Sequence, residues 1–362
     1  MVYLAYLVVS FAVLQLLVAL SNWLFIQKMP LSEEEFGLVS VLIPARNEED
    51  NISKLLSDLQ AQSYQNIEIL IFNDQSEDDT HTVVNKFAAQ DSRIRLIESD
   101  GLPEGWLGKN NACHSLSLQA KGDYFLFLDA DVRIGKHLIS RTVQFSKTNQ
   151  LGLLSIFPKQ LMLTRGEQLT VPMMNVILLS LLPLVLVQKS KRPSISAANG
   201  QFMLFDAAIY REQLPHSKFR SEKVEDIATA RHFKENHLSV ACLLGDEELT
   251  CRMYSSYDEA INGFSKNVLS FFGNSAMASI LFWLVTTMGI IPVFTVFSPK
   301  IVALYLLFVI LTRIVIAVAS KQSVLQSCIF WLGQQMAMGE MIFQAIRNKS
   351  NKQLLWKGRN IS

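Results

Sequence analysis

Between residues 39 and 128 the apolar positions switch repeatedly between a strand pattern and a helix pattern. Val39-Ser40-Val41-Leu42-Ile43 is a β-branched run that reads as a buried strand closed by Pro44. Ile52, Leu55, Leu56 and Leu59 then recur at helical spacing, with Asn47 ahead of them as a cap. Ile67-Glu68-Ile69-Leu70-Ile71-Phe72 reads as a second strand, which runs out into Asn73-Asp74-Gln75-Ser76. Glu77, Asp78, Asp79 and Thr80 open the next helix, where acidic side chains suit the positive end of the dipole. Ile94-Arg95-Leu96-Ile97 is a third strand and Tyr124-Phe125-Leu126-Phe127-Leu128 a fourth. Such alternation predicts an α/β domain with a parallel sheet, right-handed crossovers and a ligand site at the carboxyl ends of the strands. Arg46, Asp74 and the pair Asp129 and Asp131 all stand at those ends. Further on, Phe202-Met203-Leu204-Phe205 reads as a strand, and Glu225-Asp226 opens a helical pattern through Ala228, Ala230 and Phe233.

The longest apolar runs lie outside this region. Residues 1–26 are almost free of charge, and about 20 apolar residues cross a bilayer. The segment lacks a basic start and a small-residue cleavage site, so it reads as an anchor. Residues 276–297 and 301–320 form a second and third span, split by Ser298-Pro299-Lys300; Arg313 inside the last must face its hairpin partner or snorkel. Residues 171–187 are apolar but interrupted by Pro172 and Pro183, which fits a buried or interfacial helix. Residues 323–346 hold Gln334, Gln335 and Glu340 and read as an amphipathic helix on or partly in the membrane. Lys28 follows the anchor, and Arg347, Lys349, Lys352, Lys357 and Arg359 fill the tail of 323–362. Three spans place all these basic groups on the cytoplasmic side, as the positive-inside rule requires. The expected protein is a multi-pass protein of the inner (plasma) membrane, with the α/β region, residues 37–270, facing the cytoplasm.

Composition narrows the chemistry. In 362 residues, 33 basic and 32 acidic side chains leave a net charge of +1. That balance, with no basic and aromatic stripe, gives no footprint for nucleic acid. The four cysteines show no CxxC spacing and the six histidines no HExxH, so free thiols and no zinc are expected. Asp129 and Asp131, one residue apart at a strand end, are expensive to bury unpaired. A hard cation, Mg2+ or Mn2+, would compensate them and would also hold substrate phosphates. Arg46 suits a diphosphate through its planar guanidinium. In Glu104-Gly105-Trp106-Leu107-Gly108-Lys109 the glycines permit close backbone approach and Lys109 can meet a phosphate oxygen. Ala197-Ala198-Asn199-Gly200-Gln201-Phe202 is small, polar and suited to sugar hydroxyls or an acceptor head.

Four segments carry a family resemblance: Val41-Leu42-Ile43-Pro44-Ala45-Arg46-Asn47-Glu48-Glu49, Asn73-Asp74-Gln75-Ser76-Glu77-Asp78, Leu128-Asp129-Ala130-Asp131 and Val224-Glu225-Asp226. In order and spacing they resemble the membrane-associated family 2 glycosyltransferases, which have the nucleotide-sugar-binding fold called GT-A. Glu104–Lys109, Asn199-Gly200-Gln201-Phe202 and Trp356-Lys357-Gly358-Arg359 resemble the branch that glycosylates lipids, including carotenoid-acid glucosyltransferases and, more distantly, ceramide glucosyltransferases. The resemblance implies a nucleotide-diphospho-sugar transferase domain with a mostly parallel sheet, an N-terminal transmembrane anchor and a C-terminal transmembrane hairpin. It assigns Asp74 to uridine recognition, and Pro44, Ala45, Arg46 and Glu48 to the same pocket. Lys109, Asp129 and Arg252 would contact the nucleotide sugar. Asp131, with Asp129, would hold the metal. Asn199, Gly200, Gln201 and Lys266 would meet the sugar or the acceptor. Asp226 is the implied base of an inverting transfer, with Glu225 positioning it. Where many relatives carry Gln-x-x-Arg-Trp, this chain has Arg252-Met253-Tyr254, with no Trp and no Gln. The implied partners are a nucleotide sugar, UDP-linked, and a lipid acceptor in the bilayer; the oligomeric state stays open. Transfer to a polyprenyl phosphate is the enzymatic alternative, and an inactive scaffold or lipid-binding protein the non-enzymatic one.

Overall fold

The computed structural model describes residues 1–31, 34–351, 355–356 and 359–360. The chain divides into two compact units. One comprises Gln27–Lys159 and Leu186–Cys251, the other Met1–Ile26, Gln160–Val185 and Arg252–Ser362.

In chain order the strands up to residue 251 are β1 Val39–Ala45, β2 Ile67–Asn73, β3 Ile94–Glu98, β4 Tyr124–Leu128, β5 Val132–Ile134, β6 Leu153–Phe157, β7 Lys159–Gln160, β8 Phe202–Asp206, β9 Val240–Leu244 and β10 Leu249–Cys251. Seven form one sheet in the order β3-β2-β1-β4-β8-β6-β9. β1 runs parallel to both β2 and β4, β2 parallel to β3, and β6 parallel to β9. Only β8 is antiparallel to its neighbours, so the sheet is mostly parallel. The order reverses between β1 and β4, the switch point at which open α/β sheets bind ligands. β5 and β10 form an antiparallel pair, with Cys251 opposite Val132.

Fully buried Leu42, Ile43, Phe125, Phe202, Phe205 and Phe233 fill the sheet faces. Each such side chain contributes about 1.5–3 kcal/mol relative to exposure. Tyr210 and His216 close the β4–β8 side through a 2.7 Å Oη to Nδ1 hydrogen bond, and burial pushes the His216 imidazole down to about 3.

Two local expectations change. β1 continues through Pro44 to Ala45, because its pairing with β4 has already ended at Leu42 opposite Phe127 and only β2 needs a ladder there. Asn47 does not cap the following helix, Glu49–Gln60. It takes a left-handed conformation with φ of 52°, and its Oδ1 accepts from the Glu77 N–H at 2.8 Å. The Glu48 N–H donates to Thr80 Oγ1 and the Glu49 N–H to Asp78 Oδ2, so the loops after β1 and β2 are tied together.

The other unit is helical. Val2–Leu24 and Pro299–Ala319 are each long and apolar enough to cross a membrane. The expected middle span instead forms two helices, Ala276–Met288 and Ile290–Val296, bent by 52°. Pro292 explains the break, since it removes one helical N–H and its ring clashes with the carbonyl four residues back. Residues 171–187 hold a buried helix, Pro172–Leu181, that stops before Pro183. Asn22 Nδ2 donates to the Leu179 and Leu182 carbonyls at 3.0 and 2.9 Å, and its Oδ1 accepts from Leu184 N–H at 2.7 Å. The backbone groups freed by the break are thereby satisfied, as burial requires.

Residues 323–346 are also split, into Val324–Ile329 and the start of Trp331–Asn351. Gln334 and Gln335 are buried, while Glu340 accepts a hydrogen bond from Tyr257 Oη at 2.7 Å. Lys352, Lys357 and Gly358 lie outside the described residues; of Trp356-Lys357-Gly358-Arg359 only the antiparallel pairing of Trp356 with Arg359 is described.

Candidate active site

The polar residues of the sheet unit converge beyond β4 and β8. The chain leaves β4 at Leu128, passes Asp129 and Asp131 and enters β5 at Val132. The Asp129 N–H donates to the Gln201 carbonyl at 3.2 Å, which fastens this turn to the segment entering β8. Lys109 lies in the first turn of the helix Gly108–Gln119, where its Nζ is 2.6 Å from Asp129 Oδ1 and 3.9 Å from Glu225 Oε1. It also donates to the Gly200 carbonyl at 3.3 Å. Burial opposes charge on this ammonium, but Asp129 and Glu225 outweigh it and hold its pKa well above the usual lysine range.

Glu225 and Asp226 open the helix Glu225–Glu235. Asp226 Oδ2 accepts from the Gly200 N–H at 2.9 Å and Oδ1 from the Ile227 N–H at 2.7 Å. Burial raises the Asp226 pKa; the Ile227 N–H, Lys109 and the Gly200 N–H pull it back. The helix dipole is therefore not the only influence on its charge. Burial raises Glu225 to about 7 against the attraction of Lys109, with Asp226 adding repulsion.

Gly200 is the pivot of this cluster. A β-carbon there would sit 3.2 Å from Lys109 Nζ, 3.3 Å from Glu225 Oε1 and 3.7 Å from Asp226 Oδ2. Gly200→Ala is expected to displace the Lys109–Glu225 pair and lower kcat at least tenfold, about 1.4 kcal/mol of barrier. The melting temperature should shift little, because the displaced groups are side-chain ends. Steady-state kinetics beside a melting curve checks this; unchanged kcat would contradict it.

Asp131 differs from Asp129 in having no cation within ion-pairing distance among the described residues. Its carboxylate is met by Gln201 Nε2 at 3.4 and 3.5 Å, and the same Nε2 donates to Cys251 Sγ at 3.0 Å. Burial pushes Asp131 up to about 7, with like charge from Asp129 and Glu48 adding to it. Gln201 Oε1 is buried with no hydrogen-bond partner among the described residues. An unpaired carboxylate beside an orphaned amide oxygen is a hard-oxygen donor set, which fits Mg2+ or Mn2+. Among the described residues no three His, Cys, Asp or Glu side chains are grouped to hold a metal by themselves. The fit is therefore to a cation that completes its shell with water and substrate oxygens.

Pro44 and Ala45 end β1, and the Ala45 carbonyl accepts from the Asp74 N–H at 2.8 Å. Arg46 is buried, and its Nη1 donates to the carbonyls of Asp74 and Gln75 at 2.6 and 3.0 Å. Its guanidinium thus braces the loop that presents Asp74. Glu48 Oε2 accepts from Asn51 Nδ2 at 3.0 Å. Asn199 Oδ1 accepts from the Gln201 N–H at 2.9 Å and shapes the turn around Gly200. Arg252 and Lys266 belong to the helical unit, where Arg252 pairs with the buried Glu167 at 2.8 Å. Ser155 and Cys251 carry no sequence signal. Ser155 Oγ accepts from the Asn199 N–H at 2.7 Å and donates to its carbonyl at 3.1 Å, and so fixes the same turn. The four thiols are free, as expected.

The family model described as Glycosyl transferase family 2 matches residues 40–213. A 4,4'-diaponeurosporenoate glycosyltransferase of Staphylococcus haemolyticus is 27% identical over 233 residues, 64% of this chain and 60% of that relative. A UDP-Glc:alpha-D-GlcNAc-diphosphoundecaprenol beta-1,3-glucosyltransferase of Escherichia coli is 37% identical over 114 residues, 32% of this chain and 43% of that relative. The chain thus spans less than two thirds of the length of either. The solved structure of a mannosyltransferase from Pyrobaculum calidifontis, in complex with GDP-Man and Mn2+, aligns with a TM-score of 0.58 at 14% identity, covering 96% of this chain and 99% of that one. The motif-bearing sheet, the family match and the shared fold agree: residues 40–213 carry a glycosyltransferase family 2 match, and they lie on a GT-A-like α/β fold.

Proposed function

We propose that the protein is an inverting transferase that moves a sugar from a nucleotide diphosphate sugar, UDP-linked, to a lipid dissolved in the membrane. The observation that carries this reading is the meeting of Lys109, Asp129, Glu225 and Asp226 around Gly200, where the chain leaves β4 and enters β8. Relatives named for a carotenoid-acid acceptor and for a diphosphoundecaprenol acceptor support a lipid.

Asp74 receives the uridine, in a loop braced by Arg46 and bordered by Pro44, Ala45 and Glu48. Lys109 faces the diphosphate. Asp131 and Asp129 would hold Mg2+ or Mn2+, which when bound offsets the charge that builds on the leaving diphosphate. Asn199, Gly200 and Gln201 present the sugar, and Asp226 takes the proton of an acceptor hydroxyl as its oxygen attacks the anomeric carbon. Glu225, through Lys109, fixes the field around that carboxylate. Arg252 and Lys266 are assigned to diphosphate and acceptor from the sequence motifs. Attack opposite the leaving group inverts the anomeric centre. Membranes carrying the protein, given an α-linked UDP-sugar, should yield a β-linked glycolipid by NMR of the anomeric proton. An α-linked product would overturn the inverting reading.

The proposed setting is the inner membrane, with the catalytic unit in the cytoplasm. Charge placement supports three crossings, the bent pair Ala276–Met288 and Ile290–Val296 counting as one. A reporter fused after Ser362 should read cytoplasmic, and a Cys replacing Val2 should be labelled by an impermeant reagent from outside. The reverse pattern would remove one crossing or add one.

A further inference from the structure

Within the helical unit lies a cavity of about 40 Å3, room for a small polar group. Its walls come from Val2–Leu24, Pro172–Leu181, Ala276–Met288, Pro299–Ala319 and Trp331–Asn351. Its lining mixes apolar Val8, Phe11 and Val309 with polar Gln15, Thr286, Arg313 and Trp331.

Arg313 is 4% exposed. Its Nη2 donates to Gln334 Oε1 and its Nε to the Ser327 carbonyl at 3.3 Å. Both partners are neutral, and no carboxylate among the described residues lies within ion-pairing distance of it. A guanidinium at membrane depth is expensive without a counter-charge, and such residues mark binding sites more often than packing. A second, independent observation points the same way. The indole N–H of Trp331, buried at the cavity wall, has no hydrogen-bond partner among the described residues. Gln15 Nε2 donates to Ser180 Oγ at 3.1 Å, and Thr312 Oγ1 turns back to the Phe308 carbonyl. The wall therefore offers a cation and a spare N–H, and among the described residues no acidic side chain answers them.

From these residues we propose that this cavity binds the oxyanion head of an acidic lipid, carboxylate or phosphate, with Arg313 as counter-charge, Trp331 as donor and the chain against apolar lining such as Val8, Phe11 and Val309. The proposal deepens the lipid-acceptor reading and rests on it only in taking these helices as membrane-embedded. It needs no sugar transfer to be tested, so its failure and the failure of that reading are separable.

The full chain in neutral detergent is titrated with hexadecanoate brominated next to the carboxyl, a contact quencher of indole fluorescence. Saturable quenching is expected, absent in Trp331→Phe, at least tenfold weaker in Arg313→Gln and retained in Arg313→Lys. The brominated methyl ester should not saturate, and this comparison stands on the wild type alone if Arg313→Gln fails to fold. Hexadecyl phosphate should displace the probe, and inorganic phosphate should do so only at far higher concentration. Equal quenching by acid and ester, or an Arg313→Gln titration like the wild type, would overturn the site. Displacement by inorganic phosphate as good as by hexadecyl phosphate would overturn the lipid and leave a free-anion site.

Discussion

Asp131→Asn is expected to lower turnover by roughly a thousandfold, about 4 kcal/mol of transition-state stabilisation, as loss of a metal-held charge would. The substitution preserves size, so packing against Gln201 and Cys251 is retained. Asp131 has no ion-pair partner to lose among the described residues, and burial already works against its charge. The melting temperature should therefore hold or rise, because a neutral amide is cheaper to bury than an unpaired carboxylate. In parallel, EDTA should silence the wild type and Mg2+ or Mn2+ restore it. An enzyme fully active in EDTA, or an Asp131→Asn variant near wild-type rate, would remove the metal from the account.

The second large effect concerns Asp226. Asp226→Asn should cut transfer to the lipid by a hundredfold or more, in the range of general base catalysis. Affinity for the nucleotide sugar should stay within a few fold, since the base serves the acceptor. The Asn oxygen can accept from only one side, so one of the two N–H groups of Gly200 and Ile227 loses its acceptor, at a cost of about 1 kcal/mol of stability. Asp74→Ala should do the opposite, weakening nucleotide binding first. Calorimetric affinity and turnover, measured on both variants, separate the roles. Near wild-type turnover in Asp226→Asn would reduce that carboxylate to a helix cap.

The sequence made some features of this arrangement legible and hid others. The strands β1, β2, β4 and β8 stand out because buried strands need continuous apolar runs. Asp129 and Asp131 stand out because carboxylates are costly at such a place. The helix Gly108–Gln119 escapes, since it has no apolar stripe: Asn110 and Asn111 are buried along with Ala112, Cys113 and Leu116. Asn110 pays for its burial by donating to the carbonyls of Phe219, Arg220 and Glu222, contacts more than 100 residues away in the chain. Sequence separation also hides the pivot at Gly200, whose neighbours Lys109 and Asp226 stand 91 and 26 residues away, with Glu225 beside the latter. The antiparallel insertion of β8 beside β4 leaves no mark in local periodicity, because a buried strand reads alike in either direction. Arg313 was conspicuous as a charge in an apolar run, but its partner Gln334 sits on a helix whose break at Phe330 no local pattern announces.

The central claim is transfer of a sugar from a nucleotide donor to a membrane lipid at the Asp131 and Asp226 site. Its most direct test incubates membranes carrying the protein with a panel of radiolabelled nucleotide sugars and counts label in the extracted lipids. The account predicts lipid-borne label from a UDP-sugar with the wild type and background label with Asp226→Asn. Lipid label that is equal in both, or absent with every donor while the folded protein is present, would contradict it.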